Sequence, residues 1–317
     1  MFATPLIMAA TSGHLDIATM LLNSGKADIN LTADDGKTAL HEASGFGRTA
    51  CVALLINRGA DINKSSLPGK ATPLFQASTE GHAECVALLV KGGAVVDKAD
   101  LEGSTPAMMA TQGGHHACLA QLIKAGADVN RTTFDGTTCA FIASQNGASQ
   151  CLIMLIEAGA DVNLSPSWEE LSGMGEGMGG TCALVACQNG HPACLVLLAL
   201  AGADLNTDKH NCTTAMKAAV AGNLLCLRYL DSAGVDLLVS KQGYSALNLA
   251  TALGHETCVV FLKLVYLRHK KGLINEERQA GLGEQVLRDA RVTVPFDFGK
   301  SKSHHKSDHD KCKQPDL

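Results

Sequence analysis

Apolar and polar positions along this chain alternate in blocks that repeat about every 33 residues. The third block shows the pattern in full. Thr72-Pro73-Leu74 opens it and Ala77 follows. Gly81-His82, the run Cys85-Val86-Ala87-Leu88-Leu89 and Gly93-Ala94 complete it. Block starts fall at Thr4, Thr38, Thr72, Thr105, Thr138, Thr181, Thr214 and Ser245. A period of this length signals stacked modules with nearest-neighbour contacts, not one closed core. The functional question therefore concerns a surface more than a pocket.

Each block predicts two helices. Thr followed by Pro is a helix start, because the hydroxyl caps free amides and Pro suits the first helical position. Thr4-Pro5, Thr72-Pro73 and Thr105-Pro106 keep the pair, whereas Thr138 and Thr181 are followed by Cys. A short helix with small residues follows (Ala9, Ala43, Ala77, Ala110, Ala143, Ala186). Gly13, Gly47, Gly81, Gly114, Gly147, Gly190 and Gly254 are placed to end it in a left-handed cap. The second helix carries Cys and a Leu-Leu or Leu-Ile pair, as in Leu54-Leu55, Leu88-Leu89 and Leu122-Ile123, so its apolar residues share one face. Gly-Ala-Asp-x-Asn then makes a turn, at 59–63, 126–130, 159–163 and 202–206. An extended connection returns to the next block, often through Asp-x-x-Gly or Asp-Gly.

These residues closely resemble the ankyrin repeat, with its T-P-L-x-x-A, G-H, L-L and G-A-D-x-N signatures, over residues 1–265. The resemblance implies an all-α solenoid of stacked antiparallel helix pairs with projecting β-hairpin-like loops. It further implies that partners bind the concave face, through hairpin tips and the exposed ends of the first helices.

Several places break the period. Lys26 is an extra residue in its turn, and the junction at 64–70 is one residue long. The seventh block reads as one residue short, with Cys226 displaced by one. The largest break, 165–180, lengthens the Thr138-to-Thr181 spacing to 43 and holds the single tryptophan, Trp168. At the N-terminal end Phe2, Leu6 and Ile7 are expected near an open face, so that either the array starts midway or another surface covers it. At the other end 266–298 reads as a helical extension, with 275–290 offering Leu282, Val286 and Leu287 as a terminal cap. From 299 to 317 the Lys, His, Ser and Asp content reads as a disordered tail.

Composition narrows the classes. Of 317 residues 46% are hydrophobic but only 4% aromatic, so the core is built from small aliphatic residues. A net charge of −5 supplies no global basic field for nucleic acid. No apolar run reaches the ~18 residues that span a bilayer, and no secretory signal is recognisable at the start. Those readings point to a cytoplasmic protein, with the nucleus also open to it.

Of the twelve cysteines, Cys51, Cys85, Cys118, Cys151, Cys194 and Cys258 each sit 13 residues after their block start. Equivalent helices are ~8–10 Å apart, beyond the ~7 Å Cα limit for a disulfide. The ladder therefore reads as small buried hydrophobes. His14, His82, His115, His191 and His255 recur in phase and read as turn-stiffening backbone ligands, and His41 reads as structural. Cys182, Cys187, Cys194 and His191 fit no common zinc spacing. His304, His305, His309 and Cys312 offer at most a weak metal site in the tail. The Gly173–Gly180 run lacks a phosphate-loop ending, and no hydrolase or kinase motif is present. The expectation is a non-enzyme without cofactor or metal.

The family's contact positions, carried onto this phase, give a candidate surface. The tips supply Asp34, Asp35 and Lys37, then Leu101 and Glu102, then Phe134 and Asp135, then His210 and Asn211, then Tyr244. The helix ends supply Phe46, Thr79, Glu80, Gln112, Gln145, Asn146, Gln188 and Asn189. Trp168 joins them from the inserted loop. Exposed aromatics are common interface anchors, which favours Phe46, Phe134, Tyr244 and Trp168. The expected function is a monomeric scaffold or adaptor binding a protein or extended peptide, with neither nucleic acid nor a membrane span involved. The alternative is a recruiting or regulatory subunit of a ligase or kinase assembly that docks through 266–298.

Overall fold

A computed structural model of the chain describes residues 4–164, 166, 180–206, 212–241, 243–270 and 282–289. The expectations placed on Phe2, most of the 165–180 insertion, His210, Asn211 and the tail lie outside the described residues.

Eight helix pairs follow one another. The first helices are α1 (Pro5–Ser12), α3 (Ala39–Gly45), α5 (Pro73–Thr79), α7 (Pro106–Gln112), α9 (Cys139–Asn146), α11 (Cys182–Asn189), α13 (Thr214–Val220) and α15 (Ala246–Ala252). The second helices are α2 (Leu15–Asn23), α4 (Thr49–Asn57), α6 (Ala83–Lys91), α8 (His116–Lys124), α10 (Ser149–Glu157), α12 (Pro192–Leu200), α14 (Leu224–Ser232) and α16 (Glu256–Lys270). A further helix, α17, spans Leu282–Asp289. First helices pack on first helices and second on second, so each repeat touches its neighbours. Among the described residues the strands are β1 (Ser240–Lys241) and β2 (Tyr244–Ser245), paired antiparallel.

Every first helix begins at a hydroxyl. Thr4, Thr38, Thr72, Thr105, Thr138, Thr181 and Ser245 accept from the backbone amide three residues on. Each such cap is worth ~1 kcal/mol. In the seventh repeat the cap is Thr213, whose hydroxyl accepts from Met216 N at 3.1 Å, and not Thr214. Thr214 is the first helical residue and is buried. This corrects the expected start and removes the shortened repeat. Counted from Thr213, Cys226 stands 13 residues on, and the spacings from Thr181 to Thr213 and on to Ser245 are both 32. The lost residues belong to the connections, which tolerate length change.

The position-ten histidines do tie repeats together. Nε2 of His82 meets Gly45 O at 2.9 Å, His115 meets Thr79 O at 3.1 Å, His191 meets Gln145 O at 3.1 Å and His255 meets Val220 O at 2.9 Å. Arg48 Nε and Asn223 Nδ2 make the corresponding bonds to Thr11 O and Cys187 O. Gly47, at φ +65°, shows why glycine precedes these residues, since a Cβ there would lie 2.6 Å from His82 Nδ1. A second ladder follows the turns. Asn30, Asn63, Asn130 and Asn163 accept through Oδ1 from the amides of Asp61, Val95, Asp161 and Asp204.

The core is one continuous cluster along the array. All eleven described cysteines are free, and all but Cys212 are buried. Burial pushes the thiols of Cys139, Cys182 and Cys194 up to about 12 and those of Cys118 and Cys151 to about 11. Such thiols behave as small apolar groups.

The two ends depart from expectation. Leu6 and Ile7 are buried, at 2% and 4% exposure, because α1 packs fully on α3. The large apolar side chains exposed on this repeat are Met8, Leu15, Ile17, Met20 and Leu31. α17 does bury Val286 and Leu287, but it rests on α12 and α14 and does not cap the end of the stack. The reason lies in α12. Its sequence, Pro192-Ala-Cys-Leu-Val-Leu-Leu-Ala-Leu200, is apolar on every side, and such a helix needs cover on both faces. Ala193 and Val196 of α12 and Tyr229 of α14 are buried accordingly. No helix among the described residues is long and apolar enough to cross a membrane.

Candidate functional site

The connections between repeats reach one another through backbone hydrogen bonds. Leu67 N donates to Asp35 O at 2.8 Å, Leu101 N to Gly69 O at 3.2 Å and Phe134 N to Glu102 O at 3.1 Å. The approach is close enough that a Cβ on Gly36 would fall 2.7 Å from Leu67 N. The ladder fixes the tips, and the side chains between these bonds point away from the core. Phe134 is 75% exposed, Leu67 63% and Leu101 47%. Leu67 is a contact candidate that the sequence reading passed over. It stands in the 64–70 junction, where an extra residue breaks the phase; an apolar residue before Pro68-Gly69 in a turn was the available signal.

Charges on the tips differ from repeat to repeat. Lys37 lies 3.5 Å from both Asp35 and Glu42, so the second repeat's tip is internally paired. Farther along, no ion pair neutralises Glu102 or Asp135 among the described residues. Burial raises the Asp135 carboxyl, but hydrogen bonds from Thr133 and Thr137 outweigh it and hold the group below its ordinary range. The Thr133 hydroxyl and the Thr137 amide both donate to Oδ1.

Facing these tips are the ends of the first helices. Gln112, Gln145 and Gln188 stand at the seventh position after the cap in three consecutive repeats, and all three are exposed. Their side-chain amides bond to nothing else among the described residues. The neighbouring asparagines are used differently. Asn146 Nδ2 donates to Gln112 O at 3.2 Å and Asn189 Nδ2 to Gln145 O at 2.8 Å, so they pin one repeat to the next. The hydroxyl of Thr79 is likewise occupied, donating to Phe75 O at 2.9 Å.

Between the two walls lies a cavity of about 340 Å³. It gathers seven of the residues expected at the interface: Glu102, Gln112, Asp135, Gln145, Asn146, Gln188 and Asn189. Phe141, Ile142, Leu184 and Val185 contribute apolar surface to its lining. Gly180, where the chain returns from the 165–180 insertion, also lines it. Among the described residues no Lys or Arg lines it. The apolar floor was not anticipated from sequence, because those positions look like ordinary core in each repeat taken singly.

Other expected residues lie elsewhere. Phe46 caps α3 and is 53% exposed, and Tyr244 in β2 is 60% exposed. Neither lines the cavity, nor do Asp34, Asp35, Lys37, Thr79, Glu80, Leu101 or Phe134. Trp168 falls outside the described residues, as do His210 and Asn211. Among the described residues no group of three or more His, Cys, Asp or Glu side chains is arranged to hold a metal ion.

Known proteins match at three levels. The family model described as ankyrin repeats fits three stretches, 2–66, 74–165 and 183–268. The human ASB11 ankyrin repeat domain superposes with a TM-score of 0.59 at 26% identity, covering 67% of this chain and 90% of that one. Cortactin-binding protein 2 of Neofelis nebulosa is 46% identical over 54 residues, 17% of this chain. Its counterpart in Dasypus novemcinctus is 43% identical over 60 residues, 19% of this chain. These stretches amount to only 3% and 4% of the relatives' own length.

Proposed function

The chain belongs to the ankyrin repeat family, and from that premise we propose that it is a non-catalytic scaffold or adaptor. It binds a protein or extended peptide in the channel between its hairpin tips and the ends of its first helices. One observation carries this reading. Carboxylates without an ion pair and glutamine amides without a hydrogen bond, both among the described residues, converge with an apolar floor on one cleft in repeats four to six. Polar groups held on rigid elements with no ion-pair partner among the described residues suit recognition, since ordering them adds little entropy cost at binding.

The flanking aromatics extend the surface. Phe134 stands on the tip row beside the cleft and Phe46 lies farther along toward the first repeat, both exposed without helping the core. The competing idea, recruitment to an enzyme assembly through the C-terminal extension, has weaker support. The buried side chains of α17, Val286 and Leu287, are already spent on the array, whose α12 and α14 the helix covers.

The test is a pull-down from cell extract with the full chain as bait. Phe46→Ala combined with Phe134→Ala should reduce recovered partner at least tenfold, the scale of two anchor residues at ~1–2 kcal/mol each. The melting temperature should stay within about 2 °C of the parent, since both side chains are largely solvated. Full recovery with the double variant refutes the surface assignment.

A further inference from the structure

We infer that the cleft of repeats four to six takes the arginine or lysine side chain of an extended partner segment running along the array. This rests on the reading above and names the ligand chemistry of the same surface.

Three features of the cleft set the occupant. The first is charge. Glu102 and Asp135 stand on the hairpin wall, no Lys or Arg among the described residues lines the cavity, and hydrogen bonds from Thr133 and Thr137 favour the ionised Asp135. A carboxylate pair without a counter-ion favours a cation and repels an acidic ligand. Repeat two makes the contrast, because there Lys37 already serves Asp35. The second is shape. A cavity of about 340 Å³ with Phe141 and Leu184 among its lining residues accepts a long aliphatic stem, and a charged head on that stem can stay at the polar wall.

The third is repeat spacing. Gln112, Gln145 and Gln188 present one amide per repeat, with repeats ~10 Å apart. An extended chain in the polyproline II form advances ~3.1 Å per residue with three residues per turn, so three of its residues span one repeat and the same side of its backbone returns at each. Each glutamine amide can donate to and accept from a peptide unit at that interval. A helix would bring no free backbone amide to this row, because its peptide groups are paired internally. The extended form is therefore the one that uses all three glutamines. The guanidinium or ammonium then meets Glu102 and Asp135 between the first and second of them.

Positional-scanning dodecapeptide mixtures labelled with fluorescein are the probe, with one central position fixed in turn as Arg, Lys, Gln or Glu. Each is titrated by fluorescence anisotropy against the full chain, Glu102→Gln and Gln145→Ala. Arg and Lys mixtures should bind at least tenfold more tightly than the Glu mixture. Glu102→Gln should shrink that ratio several-fold, and raising the salt from 50 to 300 mM should do the same. Gln145→Ala should weaken all mixtures alike, with unchanged melting. Binding that is weakened by Gln145→Ala but indifferent to the fixed residue overturns the cation pocket and leaves the interaction surface standing. Failure of every mixture to bind, beside a pull-down partner that still depends on Phe46 and Phe134, overturns the extended ligand while sparing the broader reading. Failure of both experiments removes the broader reading and this one with it.

Discussion

Among the described residues His41 is the one histidine sealed in the stack, with no exposed surface. Thr38 N–H donates to its Nδ1 at 3.1 Å, so that nitrogen carries no proton, and Nε2–H donates to Ala71 O at 3.2 Å across the repeat boundary. The ring thus closes a cap in its own repeat and bonds to the next. Burial depresses its pKa from 6.5 to about 4; the Ala71 bond opposes the shift and Lys37 adds to it. The sign of the linkage follows. Between pH 6.5 and 4 the unfolded chain takes up the proton that the folded ring refuses, so stability falls as pH falls. The contribution is fully present above pH 6.5 and is lost progressively toward pH 4, amounting to roughly 3 kcal/mol. Urea unfolding from pH 7 to 4 should show this slope, and His41→Gln should flatten it. An equal slope in the variant would assign the pH dependence to other groups.

At the scale of an element, α12 and α17 explain each other. Most second helices bury a narrow face, such as Cys85, Val86 and Leu89 in α6, and leave the rest half-covered or exposed. α12 has no charged or hydroxyl side chain at all, and its outer face is closed by α17. Leu287→Ala, which empties a site 7% exposed in the parent, should cost about 2 kcal/mol, the low end for a buried leucine. Amide exchange in α12 and α14 should accelerate while α3 and α5 keep their protection. Uniform acceleration would mean that α17 acts on the whole array and not on its two contacts. The all-round apolar character of α12 is plain in the sequence, and it announces a cover. It does not say which segment provides it, and a cap on the end of the stack is an equally natural guess for Val286 and Leu287.

For the whole molecule the nearest-neighbour arrangement sets how stability is distributed. Repeats at the ends have one neighbour and inner repeats have two, so opening should begin at the ends. The cysteine ladder reports on this directly, since Cys51, Cys85, Cys118, Cys151, Cys194, Cys226 and Cys258 mark seven consecutive repeats at one equivalent buried position. Under native conditions a thiol reagent followed by peptide mapping should modify Cys258 and Cys51 before Cys118 and Cys151. All seven are buried, so reaction requires opening. Equal rates at all seven would show that the array unfolds as one unit.

The periodic sequence by itself determined the helix pairs, their caps, the left-handed glycines, the histidine bonds and the free buried cysteines. These are local rules of hydroxyl capping, backbone freedom and apolar spacing, repeated until their phase is unmistakable. Where the phase was misread, at Thr214, the error was one residue in a connection whose length carries no packing constraint. Seven interface residues from separate repeats were legible as surface, but their convergence on one cleft with Phe141 and Leu184 was not. Side chains more than 30 residues apart meet only because the repeats stack at a fixed pitch. The same holds for Leu67, for α17 on α12 and for the burial of Leu6 and Ile7. Each depends on which neighbour fills the adjacent space, and only the tertiary structure decides that.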